Sequence, residues 1–202
     1  MASLVASIRL IVATMLICVV GYTAVMLGAA QLFPDTARGS LIAAADGTII
    51  GSRLIAQNFT APRYFWPRPS AAGEDGYDAT AAAGSNKSPA SADLTVRARE
   101  LIARYGATAE RPLPAELAAA SGGGLDPHIS VPAALYQAER VAEARDVPLS
   151  QIEALIDQHA FAPGGFLTPV RLVNVLELNL VLDALATARQ TATVGKHQGL
   201  DG

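Results

Sequence analysis

The hydrophobic pattern of the chain begins with one long apolar segment. No charged residue stands between Arg9 and Asp35. Because a bilayer core about 30 Å thick needs roughly 20 helical residues, the pattern predicts a transmembrane helix over residues 10–32, ended by Pro34, after a short tail of residues 1–9. A cleaved signal peptide is the alternative, but its apolar core is usually about 7–15 residues long, which is shorter than this segment. We therefore predict an anchor that stays in the membrane.

Small residues recur along this predicted helix. Thr14, Gly21 and Gly28 are spaced seven apart, and Ala24 lies between the two glycines. At 3.6 residues per turn these positions form one stripe, along which a second transmembrane helix can approach closely. The alternative is a chance run of small residues in an alanine-rich sequence. The stripe predicts packing against a membrane partner.

The charges that flank the span indicate its orientation. Arg9 and the free amine precede it, whereas Asp35 and Arg38 follow it and cancel each other. The positive-inside rule then places the N-terminus in the cytoplasm. Residues 38–188 are accordingly predicted to form an extracytoplasmic domain, followed by a frayed polar tail over residues 189–202.

Beyond the span the apolar positions first follow a strand pattern. Two apolar runs between residues 39 and 60 surround Asp46-Gly47. Asp-Gly is a strong hairpin signal because glycine accepts a positive φ in a tight turn. The segment therefore predicts a β-hairpin at the start of the domain.

The later part of the domain follows helical spacing. Three apolar faces with i, i+3 and i+4 spacing predict helices after Ser91, after Ser130 and after Ser150. Leu135 belongs to the predicted buried face of the second helix. Ser150 and Glu153 form a capping box for the third.

The last apolar segment, residues 173–183, fits either a strand followed by a helix or a single helix. The alternation at its start favours the strand. A hairpin first and helices later predict one α+β domain behind a single N-terminal transmembrane helix.

The composition mainly excludes certain classes of function and of site. Hydrophobic residues make up 51% of the chain and the mean hydropathy is +0.31, an excess that the predicted span helps to explain. A net charge of −3 gives no basic field for nucleic acid. The lone Cys18 excludes an internal disulfide framework and a multi-cysteine metal site.

Residues 64–91, here called the aromatic loop, are rich in Pro, Gly, Ala, Ser and Asn and are predicted to be mostly loop. They nevertheless hold Tyr64, Phe65, Trp66 and Tyr77. Aromatic residues and arginine beside prolines are typical of a rigid binding loop. The alternative is that the rings are buried beneath the loop and staple it. Both interpretations require an ordered loop.

The segment GLDPHIS holds Asp126, His128 and Ser130 within five residues. A nucleophilic triad needs residues that converge in space, which i, i+2 and i+4 positions of one loop rarely do. No HExxH spacing points to a metal. The segment is therefore predicted to be a turn that starts at Asp126-Pro127, with Ser130 as the cap of the next helix. A secreted hydrolase that uses His128 and Asp126 is the remote alternative.

Two further polar segments are candidates for binding sites. Ser121 to Leu125, SGGGL, could hold a phosphate on backbone amides, but a P-loop Lys-Ser/Thr pair is missing. Asp78 with Ser85 and Asn86 could bind a cation, but the EF-hand spacing is missing, and hydrogen bonding within the loop is the plainer reading. None of these patterns predicts an enzyme.

A series of motifs resembles the C subunits of bacterial Kdp potassium-transporting P-type ATPases. The resemblance covers nearly the whole chain. Its motifs are GSRLIAQNF (51–59), YFWPRPSA (64–71), YDA (77–79), GSN (84–86), SGGGLDPHIS (121–130), RVAEAR (140–145) and VNVLELNLVLD (173–183).

The resemblance implies a non-catalytic subunit of a high-affinity potassium pump in the bacterial inner membrane. Its implied partners are an ATP-hydrolysing P-type subunit, a channel-like potassium-binding subunit and a small single-span subunit. Members are described as catalytic chaperones that raise the ATP affinity of the hydrolysing subunit. No other cofactor is expected. The residues expected to contact partners are Tyr64, Phe65, Trp66, Arg68, Ser70, Tyr77, Asp78, Asn86, Asp126 and His128.

Family descriptions of ATP binding would place the nucleotide on Ser121, Gly122, Gly123 and Gly124. P-type ATPases bind nucleotide in the cytoplasm, whereas the domain is predicted to lie outside. An effect on ATP affinity would then be allosteric, transmitted through the membrane partners.

Overall fold

A computed structural model describes residues 2–44 and 46–198 of the chain. It divides into two compact units, Met1–Ser52 and Arg53–Gly202. Each unit has its own secondary structure.

The first unit begins with one long apolar helix. Helix α1 (Ala2–Met15) continues through a π-helical segment (Leu16–Gly21) into α2 (Tyr22–Ala30). The helix from Ala2 to Ala30 has 29 residues and contains an 18-residue stretch with a mean hydropathy of 2.4, so it is long and apolar enough to cross a membrane.

The ends of this helix differ from the prediction. It begins at Ala2 rather than at residue 10, and it ends at Ala30, before Pro34. Pro34 instead occupies the first turn of a short helix, α3 (Pro34–Ala37), where its missing N–H is not needed.

The π-helical segment also alters the predicted stripe of small residues. A π turn holds more residues than an α turn, so it rotates the positions on its two sides relative to each other. Gly21, Ala24 and Gly28 stay on one face, whereas Thr14 is turned away from them by roughly a quarter of a turn. The Thr14 hydroxyl donates to the carbonyl of Leu10 at 2.8 Å.

The predicted hairpin is present, with shorter strands than expected. Strand β1 (Leu41–Ala43) pairs antiparallel with β2 (Ile49–Ser52). Gly47 has a φ of +84°, and the Thr48 amide donates to Asp46 Oδ1 at 2.9 Å. The turn therefore uses the residues that the Asp-Gly signal indicated.

The second unit is mostly helical. The aromatic loop precedes its first helix and contains no helix or strand. The elements, in chain order, are α4 (Ala92–Tyr105), α5 (Ala115–Ala118), β3 (His128–Ser130), α6 (Val131–Arg145), α7 (Leu149–His159), a 3₁₀ turn (Gly165–Leu167), β4 (Leu172–Asn174) and α8 (Val175–Gln198).

The core of this unit lies among α6, α7, α8 and a small antiparallel sheet. In the sheet, β3 pairs with β4 so that Ile129 lies opposite Val173. The fully buried side chains of the core include Phe65 of the aromatic loop. The other large apolar ones are Leu117, Ile129, Val141, Ile152, Ile156, Val173, Val175 and Leu178.

Two predictions about this unit are confirmed in detail. Ser130 caps α6, because its hydroxyl accepts a hydrogen bond from the amide of Ala133 at 3.3 Å. Residues 173–183 form a strand followed by a helix, since β4 ends at Asn174 and α8 begins at Val175.

Three details of the prediction are wrong. Ser150 is not the cap of α7: the helix begins at Leu149, and its cap residue is Pro148, which makes no side-chain cap bond. Leu135 is 42% exposed, because alanines and Gln137 form the inner face of α6. The tail is helical up to Gln198, and its last part, residues 199–202, lies outside the described residues.

The observed fold is mixed helix and sheet, with one N-terminal apolar helix and a small β-hairpin. This agrees with the predicted α+β class.

Candidate functional site

Two buried side-chain amides hold the aromatic loop by its backbone. The Phe65 amide donates to Asn179 Oδ1 at 2.8 Å, and Asn179 Nδ2 donates to the Phe65 carbonyl at 3.0 Å. Gln137 makes the same pair with Trp66, at 2.8 and 3.1 Å. A carboxamide offers one acceptor and two donors, so each side chain satisfies both backbone groups as a neighbouring strand would. The loop is thereby fixed without being part of a sheet.

The indole of Trp66 lies against two guanidinium groups. The guanidinium carbon of Arg140 is 3.6 Å from the ring centroid and that of Arg104 is 4.0 Å from it. The ring also meets Tyr105 edge-on at 5.1 Å, and Nε1 donates to the carbonyl of Ala61 at 3.1 Å. We call Arg104, Trp66 and Arg140 the Arg–Trp–Arg cluster.

A second contact joins the loop to the C-terminal helix. Asp183 on α8 accepts from the Tyr64 hydroxyl at 2.9 Å and from Arg145 at 2.9 Å. Arg145 also donates through Nε to the carbonyl of Arg63 at 2.6 Å. The Arg145 side chain is only 7% exposed, whereas that of Asp183 is 43% exposed. The ion pair is therefore buried on its arginine side only, and it helps to fix the position of Tyr64.

Ser70 and Tyr77 shape the next part of the loop. The Ser70 hydroxyl accepts from the amides of Ala72 and Tyr77 at 3.1 and 2.8 Å. The Tyr77 hydroxyl donates to the carbonyl of Arg68 at 2.9 Å, and burial raises the pKa of Tyr77 to about 12. Tyr77 has a φ of +59°, which is unusual for a bulky side chain.

The glycine segment predicted as a phosphate cradle packs against this loop. The Ser121 amide donates to the carbonyl of Pro69 at 3.2 Å, and the Gly124 amide donates to the carbonyl of Ser121 at 3.1 Å. A Cβ at Gly124 would lie 2.8 Å from atoms of Ala72 and Ala83, in a backbone with φ of +73°. The Gly124 backbone must therefore approach the loop more closely than a side chain would allow.

The other two glycines have different surroundings. Gly122 and Gly123 are exposed, and a Cβ at either would meet open space. The carbonyl of Gly122 is instead a close neighbour of Gly84, where a Cβ would lie 2.7 Å from it. The close approach of two loops explains Gly84 and Gly124, and two of the four amides of the segment are already used in hydrogen bonds.

Asp126 and His128 form a turn that continues into strand β3. Asp126 Oδ1 accepts from the amide of His128 at 3.0 Å and lies 2.9 Å from its Nδ1. The hydrogen bond from the His128 side chain, with that from the His128 amide as a smaller cause, holds the pKa of Asp126 below its usual value. Arg68 Nη1 lies 3.8 Å from Asp126 Oδ2, so this segment and the aromatic loop, predicted together as contact residues, are neighbours.

The remaining predicted residues make local contacts. The Ser130 hydroxyl donates to Glu116 on α5, so its partner is a carboxylate rather than the His128 ring that a triad needs. Asp78 accepts from the amide and hydroxyl of Thr80, which lowers its pKa. Asp78 and Asn86 are exposed. In residues 2–44 and 46–198, no group of three His, Cys, Asp or Glu side chains is placed to hold a metal.

Phe65 and Trp66 fit the stapling alternative, since Phe65 is fully buried and Trp66 is 6% exposed. Contact between the aromatic loop and a partner subunit stays a prediction. The exposed residues of the loop would make that contact. The side chains that hold the loop were not predicted. They are polar residues on otherwise apolar helix faces, and that is the one signal that could have indicated them: Gln137, Arg140, Arg145, Asn179 and Asp183.

Comparison with known proteins assigns the family. Residues 4–184 match the family model KdpC, described as K+-transporting ATPase, c chain. The chain is similar to the Potassium-transporting ATPase KdpC subunit of Parvibaculum lavamentivorans, with 67% identity over 93% of this chain and 100% of the relative. The relative of the same name from Gemmatimonas aurantiaca is 49% identical over 82% and 84% of the two chains. That from Mycobacterium tuberculosis is 47% identical over 81% and 88%. The chain therefore belongs to the KdpC family of K+-transporting ATPase c chains.

Proposed function

We propose that the chain is a non-catalytic accessory subunit of a potassium-transporting P-type ATPase. Helix Ala2–Ala30 anchors it in the bacterial inner membrane, with the N-terminus in the cytoplasm and residues 38–188 as the extracytoplasmic domain. Two observations support this proposal. The family match extends over residues 4–184, and the helix is apolar over a length that spans a bilayer.

The proposed role is to assemble with the other subunits and to support their activity. Its partners are the ATP-hydrolysing subunit, the channel-like potassium-binding subunit and the small single-span subunit. The observation that carries the role is the aromatic loop, which Gln137 and Asn179 fix by four buried hydrogen bonds. A loop that is already ordered loses little entropy when it binds a partner. That is a property of a docking element.

An effect on ATP affinity is proposed to be indirect. Two amides of the segment 121–124 are engaged within the domain, and Gly124 is explained by its close approach to Ala72. We propose that the segment supports the aromatic loop, and that the subunit raises ATP affinity through the membrane partners rather than by holding nucleotide.

Replacement of both Gly21 and Gly28 by Leu tests the anchor as an assembly element. The added side chains would separate the helix from a close neighbour. The matched control replaces Thr23 and Ala30 by Leu, because these positions lie about 200° round the helix from the glycines. After detergent solubilisation, we expect the partner subunits to co-purify with the wild type and the control but not with the glycine variant. Equal recovery with all three would reject the glycine face, and no recovery with the wild type would reject the function.

Cysteine labelling tests the orientation. Gly123 is exposed and has open space beside it, so Gly123→Cys should fold normally in a Cys18→Ala background. We expect a membrane-impermeant maleimide to label it from outside intact cells. Labelling only after the membrane is opened would contradict the topology. Competition of an ATP photo-label by ATP at this segment would favour direct nucleotide binding instead.

A further inference from the structure

Within residues 2–44 and 46–198, the two cations of the Arg–Trp–Arg cluster have no acidic partner. Among the described residues, neither Arg104 nor Arg140 forms an ion pair with a carboxylate, whereas other arginines of the same unit do. Those arginines are Arg53, Arg68, Arg111, Arg145 and Arg171.

Arg104 does not pair with the carboxylate that is close to it in sequence. Glu100 stands four residues before Arg104 on α4, an arrangement that favours a helical ion pair. Arg104 donates instead to the carbonyl of Phe59 at 3.2 Å and lies over Trp66. The guanidinium is directed by the indole and a carbonyl, so its charge is not neutralised by its own helix.

Arg140 behaves in the same way on α6. It donates to the carbonyl of Tyr64 at 3.0 Å, to the carbonyl of Pro62 and to Gln137 Oε1 at 2.8 Å. All of these acceptors are uncharged. Burial, with the repulsion of Arg104 as a smaller cause, lowers the pKa of Arg140 to about 10. The positive charges of Arg104 and Arg140 therefore repel each other.

One cation of the pair can be reached from solvent. Arg104 is exposed, while Arg140 is half-buried and Trp66 is almost completely covered. The ring of Tyr105 adjoins the indole, and that of Tyr136 lies 6.2 Å from Tyr105. Arginine, tryptophan and tyrosine are the residue types in which protein–protein hot spots are enriched, and here an exposed arginine lies on a buried indole beside two half-buried tyrosine rings.

We propose that Arg104 of the Arg–Trp–Arg cluster docks a carboxylate side chain of a partner subunit, an inference that rests on the proposed function. A planar guanidinium held against an indole presents its N–H groups for a bidentate bond to a carboxylate. The incoming negative charge would relieve the repulsion between Arg104 and Arg140. The aromatic loop fixes the indole beforehand, so the site is formed before the partner arrives.

A protein carboxylate fits better than an anionic membrane surface. Binding to anionic lipid relies on clusters of about 4–8 basic residues. Here the Arg–Trp–Arg cluster offers a single exposed arginine, and the chain as a whole has a net charge of −3. The Arg–Trp–Arg cluster is therefore suited to one ion pair with a carboxylate and lacks the several basic residues of a polybasic surface.

A zero-length cross-link tests the contact in the intact complex. Arg104→Lys places an amine at the site, and Arg99→Lys places one on another exposed part of the same helix as the matched control. A carbodiimide joins an amine only to a carboxylate in contact with it. We expect Arg104→Lys, but not Arg99→Lys, to give a cross-link to an Asp or Glu of a partner subunit, identified by mass spectrometry. Cross-links confined to this chain, or the same yield from both variants, would overturn the proposal.

Charge reversal gives a second readout. We expect Arg104→Glu to lower the amount of partner subunits retained on the purified chain by about tenfold or more, with Arg99→Glu unchanged. Circular dichroism checks that both variants are folded, because Trp66 fluorescence would itself respond to the loss of the Arg104 guanidinium from the indole. If wild-type chain retains the partners and Arg104→Glu retains them equally, the docking site is wrong and the proposed function stands. If wild type retains none, both fail. A loss of co-purified phosphatidylglycerol with partners retained would point to lipid and overturn the proposal.

Discussion

The aromatic loop and helix α4 adjoin each other in the chain and are held in opposite ways. Helix α4 is a regular element of 14 residues, yet none of its side chains is fully buried. The loop has no helix or strand, yet Phe65 is 0% exposed and Trp66 is 6% exposed. The regularity of the backbone and the strength of its attachment are therefore separate properties.

The difference lies in which groups form hydrogen bonds with the backbone. In the loop, Asn179 and Gln137 bond to both the N–H and the C=O of one residue each. Helix α4 satisfies its own backbone and offers only side chains to the domain. Ile102 on it is 44% exposed, and the buried Nε of Arg97 has no hydrogen-bond partner among the described residues. A buried donor without a partner is costly.

The largest expected effect is the removal of the Phe65 ring. Phe65→Ala would leave a cavity in the core and is expected to lower the free energy of unfolding by about 3–5 kcal/mol. Ile102→Ala on α4 should cost less than about 1 kcal/mol, because that side chain is largely exposed. Urea unfolding of the full-length chain in detergent, followed by fluorescence of Trp66, measures both. Similar losses would show that α4 is as firmly attached as the loop.

A smaller effect is expected from the amide clamp. Asn179→Leu leaves the N–H and C=O of Phe65 buried without partners, each at a cost of about 1–3 kcal/mol. Gln158→Leu on the exposed side of α7 is the control and should change the free energy of unfolding by no more than about 0.5 kcal/mol. If Asn179→Leu behaves like this control, the clamp does not hold the loop, and burial of Phe65 is sufficient.

The smallest effect concerns alkaline pH. The folded pKa of Tyr77 is raised from 10 to about 12, so its contribution to stability is complete below pH 10 and is lost as the pH rises through about 12. We expect Tyr77→Phe to make the fall in stability between pH 10 and 12 less steep. Circular dichroism during thermal unfolding at several pH values measures this slope. An unchanged slope would mean that Tyr77 titrates normally and that the loop opens around it.

The sequence could predict features that rest on local rules. The length of the uncharged apolar segment predicted the N-terminal helix, Asp46-Gly47 predicted the hairpin, and Ser130 was identified as a cap by its place before Pro132. These signals all come from residues within a few positions of each other. Ser150 failed because Pro148 and Leu149 start the helix earlier, and local rules fix helix ends only to within one or two residues.

The clamp could not be predicted in this way. Asn179 and Phe65 are 114 residues apart, and no period in the sequence links a carboxamide on a helix to the backbone of a distant loop. Leu135 failed for a related reason. Ala138, Val141 and Ala142, which share its predicted face, are buried, but the inner face continues through Ala134 and Gln137 instead of Leu135.

The same separation determines when the loop can take its final shape. Asn179 and Asp183 leave the ribosome after Phe65 by 114 residues or more, which at about 5–20 residues per second is a delay of roughly 6–24 s. During that time the nascent chain presents Phe65 without the side chain that clamps its backbone. The domain therefore depends on its last helix to complete the loop, and a chain truncated before α8 would expose Phe65 and be a substrate for chaperones and proteases.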